Sequence, residues 1–260
     1  MRSMVRAVSV PEYRGPRPVA ERANALHVIQ APGQLPAGQR IYAIGDVHGH
    51  PDRLRRLHGL IAEHLAAHPV PAATLVHLGD YIDQGPDSAG VLDLVIGLSV
   101  PGLRVVNLLG DHERMLLDGI DGDNAAATDW LWSGGREALA SWGLPADLPR
   151  EAWAGAFPAA HIAFLRGLVL SWQAAGYLFV HAGIRPGVAI RQQACDDLLM
   201  IRQPFLSTEA PFGPVVVHGH SSNVSVSILP NRIGLDTGAG LGGKLTCAVL
   251  EEDGIALMAA

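Results

Sequence analysis

At 260 residues the chain is long enough for one domain with a sizeable core, or one domain carrying an insertion. Hydrophobic residues make up 48% and charged ones 17%, a globular balance, and a formal net charge of -6 gives no attraction for nucleic acid or an anionic membrane. No apolar run approaches the ~18 residues of a membrane helix, and the two cysteines, Cys195 and Cys247, make no Cys-x-x-Cys pair, so they read as reduced core thiols in the cytoplasm.

Residues 1 to about 38 carry arginines and prolines without sustained periodicity and hold no apolar stretch long enough for a secretory signal. Glu12 and Glu21 argue against an organelle address. This segment is predicted to be a tail, mobile or docked on the surface, ahead of a main domain over 39–260.

Ile41 to Ile44 is a short, almost wholly apolar run that stops at Gly45, with Asp46 and His48 just beyond. Such a run fits a strand covered on both faces. Pro51 and Asp52 then open a helix with Leu54, Leu57, Ile61 and Leu65 at helical spacing. His58, His64 and His68 on it read as solvated or boundary side chains, and His50 as structural. Thr74 to Asp80 is a second strand with the same exit, Gly79-Asp80, in which His77 reads as structural; Ser88 to Leu98 is the next helix. Arg104 to Asp111 is a third strand, leaving through Gly110-Asp111 and followed at once by His112 and Glu113. Strand, helix, strand, helix, strand implies parallel neighbours joined by crossovers.

From about 114 to 176 the texture changes, and all five tryptophans of the chain fall there. Short helical stretches such as Gly135 to Trp142 and Ala159 to Gly167 predict a helical insertion that caps the site. The strand device then returns: Tyr177 to Gly183 carries His181, and Val215 to His220 carries His218 and His220. Arg232 to Asp236, Lys244 to Leu250 and Ile255 to Met258 read as an antiparallel meander completing a second sheet.

A packed sheet explains the apolar runs but gives no reason for a metal-ligand side chain at each exit. Ligand sites in open α/β sheets lie beyond the carboxyl ends of the strands, so Asp46, His48, Asp80, Asp111, His181 and His220 are predicted to converge. Oxygen and nitrogen ligands without thiolates suit a pair of catalytic divalent ions. Two such ions about 3.5–4 Å apart can share a hydroxide and clamp a phosphoryl group for in-line attack. Asp80, at the exit of the middle motif, is the natural bridging carboxylate.

Gly45-Asp46-Val47-His48-Gly49, Gly79-Asp80-Tyr81-Ile82-Asp83-Gln84-Gly85 and Gly110-Asp111-His112-Glu113 resemble the three signatures of the calcineurin-like metallophosphoesterases. Within these, the chain is most similar to the phosphoprotein phosphatase branch in its bacterial serine/threonine form. Later blocks continue the resemblance: Phe179 to Gly183, Asp197 to Arg202, His218 to Ser221 and Asn231 to Gly238. The resemblance implies an α/β fold of the four-layer metallophosphoesterase type, two mixed β-sheets packed as a sandwich and flanked by helices. It implies two divalent ions, manganese, iron or zinc, with manganese the first choice in vitro. Carried over by motif, Asp46, His48 and Asp80 would hold the first ion, and Asp80, Asp111, His181 and His220 the second. His112 would protonate the leaving alkoxide, oriented by Asp83, and Arg202 would bind phosphate. His218 takes a supporting or core place beside His220.

Two positions depart from the family pattern. Gln84 stands where the middle signature carries Arg, and Asp111 where the third carries Asn. A cation is lost beside the phosphate and an anion gained at the metals, so Gln84 becomes a neutral substrate contact. The reading is a metal-dependent hydrolase of phosphomonoesters, on phosphoserine or phosphothreonine of a phosphoprotein or on a small phosphorylated substrate, attenuated by these two changes. The alternatives are a dinucleoside polyphosphate hydrolase and a phosphoprotein-binding pseudo-phosphatase.

Overall fold

The computed structural model describes residues 26–260; of the tail expected over residues 1 to about 38, residues 1–25 lie outside them, while Ile29–Gln30 pairs with Ile255 and Gly254 and Ala31 and Leu35 are buried. Two mixed sheets form the centre. The first contains β1 (Ile29–Gln30), β2 (Gln39–Ile44), β3 (Ala72–His77), β4 (Leu103–Asn107), β10 (Thr246–Glu251) and β11 (Gly254–Ala259), in the order β1-β11-β10-β2-β3-β4. The second runs β5-β6-β7-β9-β8, from Ser171–Ala174, Tyr177–Val180, Val215–His218, Arg232–Gly234 and Ser227–Leu229 respectively. β2, β3 and β4 are parallel, joined through α1 (Pro51–Ala67) and α2 (Ser88–Ile96). In the second sheet β6, β7 and β9 are parallel.

The alternation of side chains along each strand sets the layers. On β2, Tyr42 and Ile44 face the helices and pack with Leu54, Leu57 and Ile61 of α1. Ile41 and Ala43 face the other way, into an inter-sheet core shared with Tyr177 and Phe179 of β6 and Val215 and Val217 of β7. The intervening residues of β6, Leu178 and Val180, look outward onto Leu198 of α8 (Cys195–Met200) and onto Phe205. Helices, sheet, sheet and helix therefore stack in four layers, as expected.

Two expectations are corrected. The last three strands do not form one meander. β9 joins the second sheet beside β7, whereas β10 and β11 lie antiparallel in the first, with β10 against β2. Thr246 to Leu250 is buried at every position, so this strand needs neighbours on both edges and cover on both faces, which only a sheet interior supplies. The glycine-rich turn over 238–243 lets the chain cross between sheets. His58 is buried, not solvated: its Nε2 lies 2.9 Å from Nε2 of His77, whose Nδ1 meets Oδ1 of Asn107 at 2.8 Å. Helical spacing placed His58 on α1 correctly; what it could not show was a polar partner waiting on β3.

Between β4 and β5 the chain is helical: α3 (Asp111–Ile120), α4 (Asn124–Trp130), a π-helical turn Leu131–Gly135, α5 (Arg136–Ser141), α6 (Trp153–Ala156) and α7 (Ala159–Arg166). Trp130 and Trp153 pack edge to face at 5.1 Å, and Trp142 and Phe157 likewise at 5.1 Å. Cys247 is buried and Cys195 half-buried, both as free thiols. Among the described residues no helix is long and apolar enough to cross a membrane.

Candidate metal centre

The first sheet delivers Asp46 and His48 from the end of β2, Asp80 from β3 and Asp111 from β4. The second sheet delivers His181 from β6 and His220 from β7. The structure brings these together. Asp80, Asp111, His181 and His220 each offer one ligand atom, all within 4.8 Å of one another, and so do His48, Asp80 and His112. Asp80 belongs to both sets: Oδ1 lies 3.5 Å from Nε2 of His181 and Oδ2 3.6 Å from Nε2 of His48. Oδ1 of Asp111 sits 2.8 Å from Nε2 of His181 and 3.0 Å from Nδ1 of His220.

Hydrogen bonds fix which imidazole nitrogen faces inward. His181 donates Nδ1–H to the carbonyl of Leu78 at 2.8 Å, and His48 donates Nδ1–H to that of Ile82 at 3.1 Å. Each Nε2 is then the nitrogen turned to the centre, which a metal-binding imidazole presents once that nitrogen gives up its proton. The exits are tight turns. His48, Asp80, Asp83, Gln84 and His220 have φ of 45, 51, 72, 58 and 59°, a left-handed region that costs a non-glycine residue about 1–2 kcal/mol.

The donor set fits divalent cations. Asp46, Asp80, Asp83, Glu113 and Asp236 are all buried and Asp111 is half-buried. Burial and the neighbouring Asp111 push Asp80 up to about 8. Burial and the nearby Asp236 raise Asp46 well above the usual carboxylate range. Burial also opposes ionisation of Asp111, but hydrogen bonds from His181 and His220 outweigh it and hold that carboxyl low. Oδ2 of Asp46 accepts the backbone N–H of His220 at 2.9 Å, while its Oδ1 is buried without a partner. An orphaned buried carboxylate oxygen beside crowded like charges is what a bound cation would satisfy.

His112 sits beside this cluster with Nδ1 at 2.7 Å from Oδ2 of Asp83. Burial works against its protonation, but the charges of Asp80 and Asp83 prevail and raise it to about 10. Burial pushes Asp83 up to about 7, against the pull of His112. Nε2 of His112 lies 3.4 Å from Nε2 of Gln84. Gln84 and Arg202 line the same 310 Å³ pocket as His48, Asp80, Asp111 and His112. His218 is buried behind the site, with Nδ1 at 3.0 Å from the carbonyl of Gly219.

Two residues escaped the sequence reading as individuals. Glu113 is fully buried and accepts four backbone N–H groups: Tyr81 at 2.8 Å and Ile82 at 3.1 Å on Oε1, Asp80 at 2.9 Å and Gly110 at 3.1 Å on Oε2. It ties the turn after β3 to the start of α3. The available signal was a glutamate three residues past the helix-capping Gly110, half of a capping box. Asp236 lies at the exit of β9, lines the pocket and raises Asp46. Ile233-Gly234-Leu235-Asp236 repeats the apolar-then-acid exit and could have been counted with the others.

The profile of the calcineurin-like phosphoesterases matches residues 39–258. The chain belongs to that family. As a calcineurin-like phosphoesterase it is a hydrolase of phosphoester bonds. It is 29% identical to a symmetrical bis(5'-nucleosyl)-tetraphosphatase of Janthinobacterium sp., over 81% of this chain and 93% of that one. It is 32% identical to an uncharacterised protein of Schizosaccharomyces pombe, over 61% of this chain but only 48% of that protein. The chain thus spans about half the length of the yeast relative. Among solved structures, one provisionally assigned as a diadenosine tetraphosphatase superposes with a TM-score of 0.62 at 22% identity, over 88% of this chain and 98% of that one. A cold-active protein-tyrosine phosphatase from Shewanella does so at 0.57 and 17%, over 97% and 89%. At such identities these structures speak to the fold alone.

Proposed function

We propose that the protein is a two-cation phosphomonoesterase whose substrate releases an alkoxide, as phosphoserine and phosphothreonine do. The observation that carries this reading is the Asp83–His112 pair beside the ligand cluster. An alkoxide is a poor leaving group and needs a proton in the transition state. A nucleotide leaving from a phosphoanhydride does not need one. In this reading Asp46, His48 and Asp80 hold one cation, and Asp80, Asp111, His181 and His220 the other. Bound there, the cations supply Lewis-acid activation of water and of the phosphoryl oxygens.

The chain's own residues do the rest. Asp80 presents one oxygen to each half of the site. Asp83 keeps the Nδ1 proton of His112 in place, so that Nε2–H is the proton offered to the departing oxygen. Gln84 lies beside that Nε2 on the pocket wall, where a substrate oxygen would take its place. Arg202, exposed on the rim, is the remaining cationic side chain of the pocket and pairs with the phosphate.

A second reading, hydrolysis of a dinucleoside polyphosphate, is favoured by a specific feature. The 310 Å³ pocket shares Ser222, Gly238 and Leu241 with an adjoining 1170 Å³ groove that also contains Arg53 and Lys244. That groove has room for a nucleoside, and a polyphosphate brings its own cation into a pocket that lacks an arginine at position 84. The Janthinobacterium relative bears the name of such an enzyme.

The experiment is product analysis with the full chain and added manganese, on a phosphoserine peptide and on diadenosine tetraphosphate. Release of phosphate from the peptide that disappears on chelation is the expected result. Cleavage of the dinucleotide alone, with the peptide untouched, would transfer the assignment to the second reading.

A further inference from the structure

The proton donor of this site is braced from behind by a residue that no motif marks. Oδ2 of Asp83 is taken by His112, and its Oδ1 is buried without a completed hydrogen bond. The indole Nε1 of Trp130 is buried and lacks one as well. The indole is among the groups that pull the Asp83 carboxyl down against its burial, although no hydrogen bond between the two is completed. Buried N–H groups are rarely left over, and the neighbouring tryptophans obey the rule. Trp142 donates to Nδ1 of His161 at 2.9 Å and Trp153 to the carbonyl of Leu148 at 3.1 Å.

Local structure explains how the indole reaches Asp83. Trp130 ends α4, and the π-helical turn after it contains Gly134 at φ 115°. A methyl at Gly134 would lie 2.6 Å from the backbone N of Gln84 and 3.2 Å from Cβ of Asp83, so this turn rests directly on the Asp83–Gln84 peptide. Single π turns interrupt helices where function needs a side chain re-aimed. Trp130 has no exposed surface and is gripped edge-on by Trp153 at 5.1 Å and Phe157 at 6.4 Å. The ring cannot swing away.

We propose that Trp130 is a positioning residue for the proton donor: its indole N–H holds Oδ1 of Asp83 while Oδ2 holds His112, forming a chain Trp130–Asp83–His112 that aims Nε2–H at the leaving oxygen. This rests on His112 being the acid of the reaction. A donor on the second oxygen favours the ionised carboxylate and stops it rotating. It also links the tryptophan-rich helical segment to the chemistry, a role beyond packing.

The test is the Trp130→Phe variant of the full chain, which keeps an aromatic ring and removes the N–H. Its kcat is measured with added manganese on p-nitrophenyl phosphate, whose leaving group needs little help, and on an alkyl phosphate, whose leaving group needs a proton. The expected result is a roughly tenfold loss of kcat on the alkyl ester, with the aryl ester within about twofold and KM unchanged on both. Equal losses on the two esters overturn the proposal, because a packing defect does not distinguish leaving groups. His112→Gln is run alongside. If it shows no leaving-group selectivity, the acid reading itself fails; if it does and Trp130→Phe does not, the brace alone fails. An independent arm needs no tryptophan variant: the indole N–H resonance of Trp130 should shift on Asp83→Asn, and a resonance indifferent to that change sinks the contact.

Discussion

Nδ1 of His112 and Oδ2 of Asp83 are 2.7 Å apart, both buried, and neither atom is a ligand in the proposed assignment of the two cations. The imidazolium is therefore held beside the metal cluster and not on it. His112→Gln is expected to lower kcat on an alkyl phosphate by roughly 10²–10⁴-fold, the usual contribution of a positioned acid. Asp83→Asn, which removes the charge and keeps the shape, should cost less, about 10–10²-fold. Steady-state kinetics on both variants checks the order. A larger loss for Asp83→Asn than for His112→Gln would contradict the hierarchy.

Glu113 predicts a stability effect without any contact to substrate. Its carboxylate accepts the N–H groups of Asp80, Tyr81, Ile82 and Gly110. Glu113→Gln turns an NH₂ group toward donors and leaves some of them buried and unpaired, at about 2–4 kcal/mol. Differential scanning calorimetry should show a lower Tm, and activity should fall too, because Asp80 loses its fixed turn. An unchanged Tm would remove Glu113 from the account.

The buried histidine pair sets an acid limit to stability. Burial lowers His58 to about 4, and burial with the nearby His58 lowers His77 to about 3, both from 6.5. Below pH ~6.5 the unfolded chain binds protons that the folded chain refuses, so stability is full above that value and falls as the pH drops toward ~4. At about 1.4 kcal/mol per pKa unit, His58 alone accounts for roughly 3 kcal/mol. His58→Gln keeps a donor for Nε2 of His77 but cannot titrate. Its Tm should fall less than that of the parent between pH 7 and 4.5; parallel curves would rule the pair out.

The two departures from the family pattern make a charge prediction. Gln84→Arg restores a cation next to His112 and the phosphate, and Asp111→Asn removes an anion that His181 and His220 now share. Each is expected to raise kcat/KM on a phosphomonoester about tenfold, on the order of 1.4 kcal/mol for a charge in a partly desolvated pocket. If neither variant gains, the added negative charge of the pocket is not what limits turnover.

How much of this was readable beforehand depended on the range of the interaction. The exits at Asp46, His48, Asp80, Asp111, His181 and His220 were legible because each follows its own apolar run, and strand direction alone gathers them at one end. The four layers came from the family resemblance of the motifs at those exits. The sheet that β10 joins was not legible, since its neighbour β2 lies some two hundred positions earlier and nothing local announces it. Glu113 was passed over and His58 misjudged for a related reason. A carboxylate that serves four backbone N–H groups, or an imidazole that meets another on β3, looks from sequence like any other polar residue. The brace proposed for Trp130 is hidden most deeply, because an indole in a tryptophan-rich segment has packing as a sufficient explanation.

The ligand cluster straddles the seam of the sandwich, with Asp46, His48, Asp80 and Asp111 on one sheet and His181 and His220 on the other. A cation seated there works as a rivet between the two halves of the molecule as well as a reagent. Without it the buried carboxylates of Asp46 and Asp236 would face each other across the seam with no cation between them. Chelation is therefore expected to lower the Tm along with the activity, because the same cation would serve both.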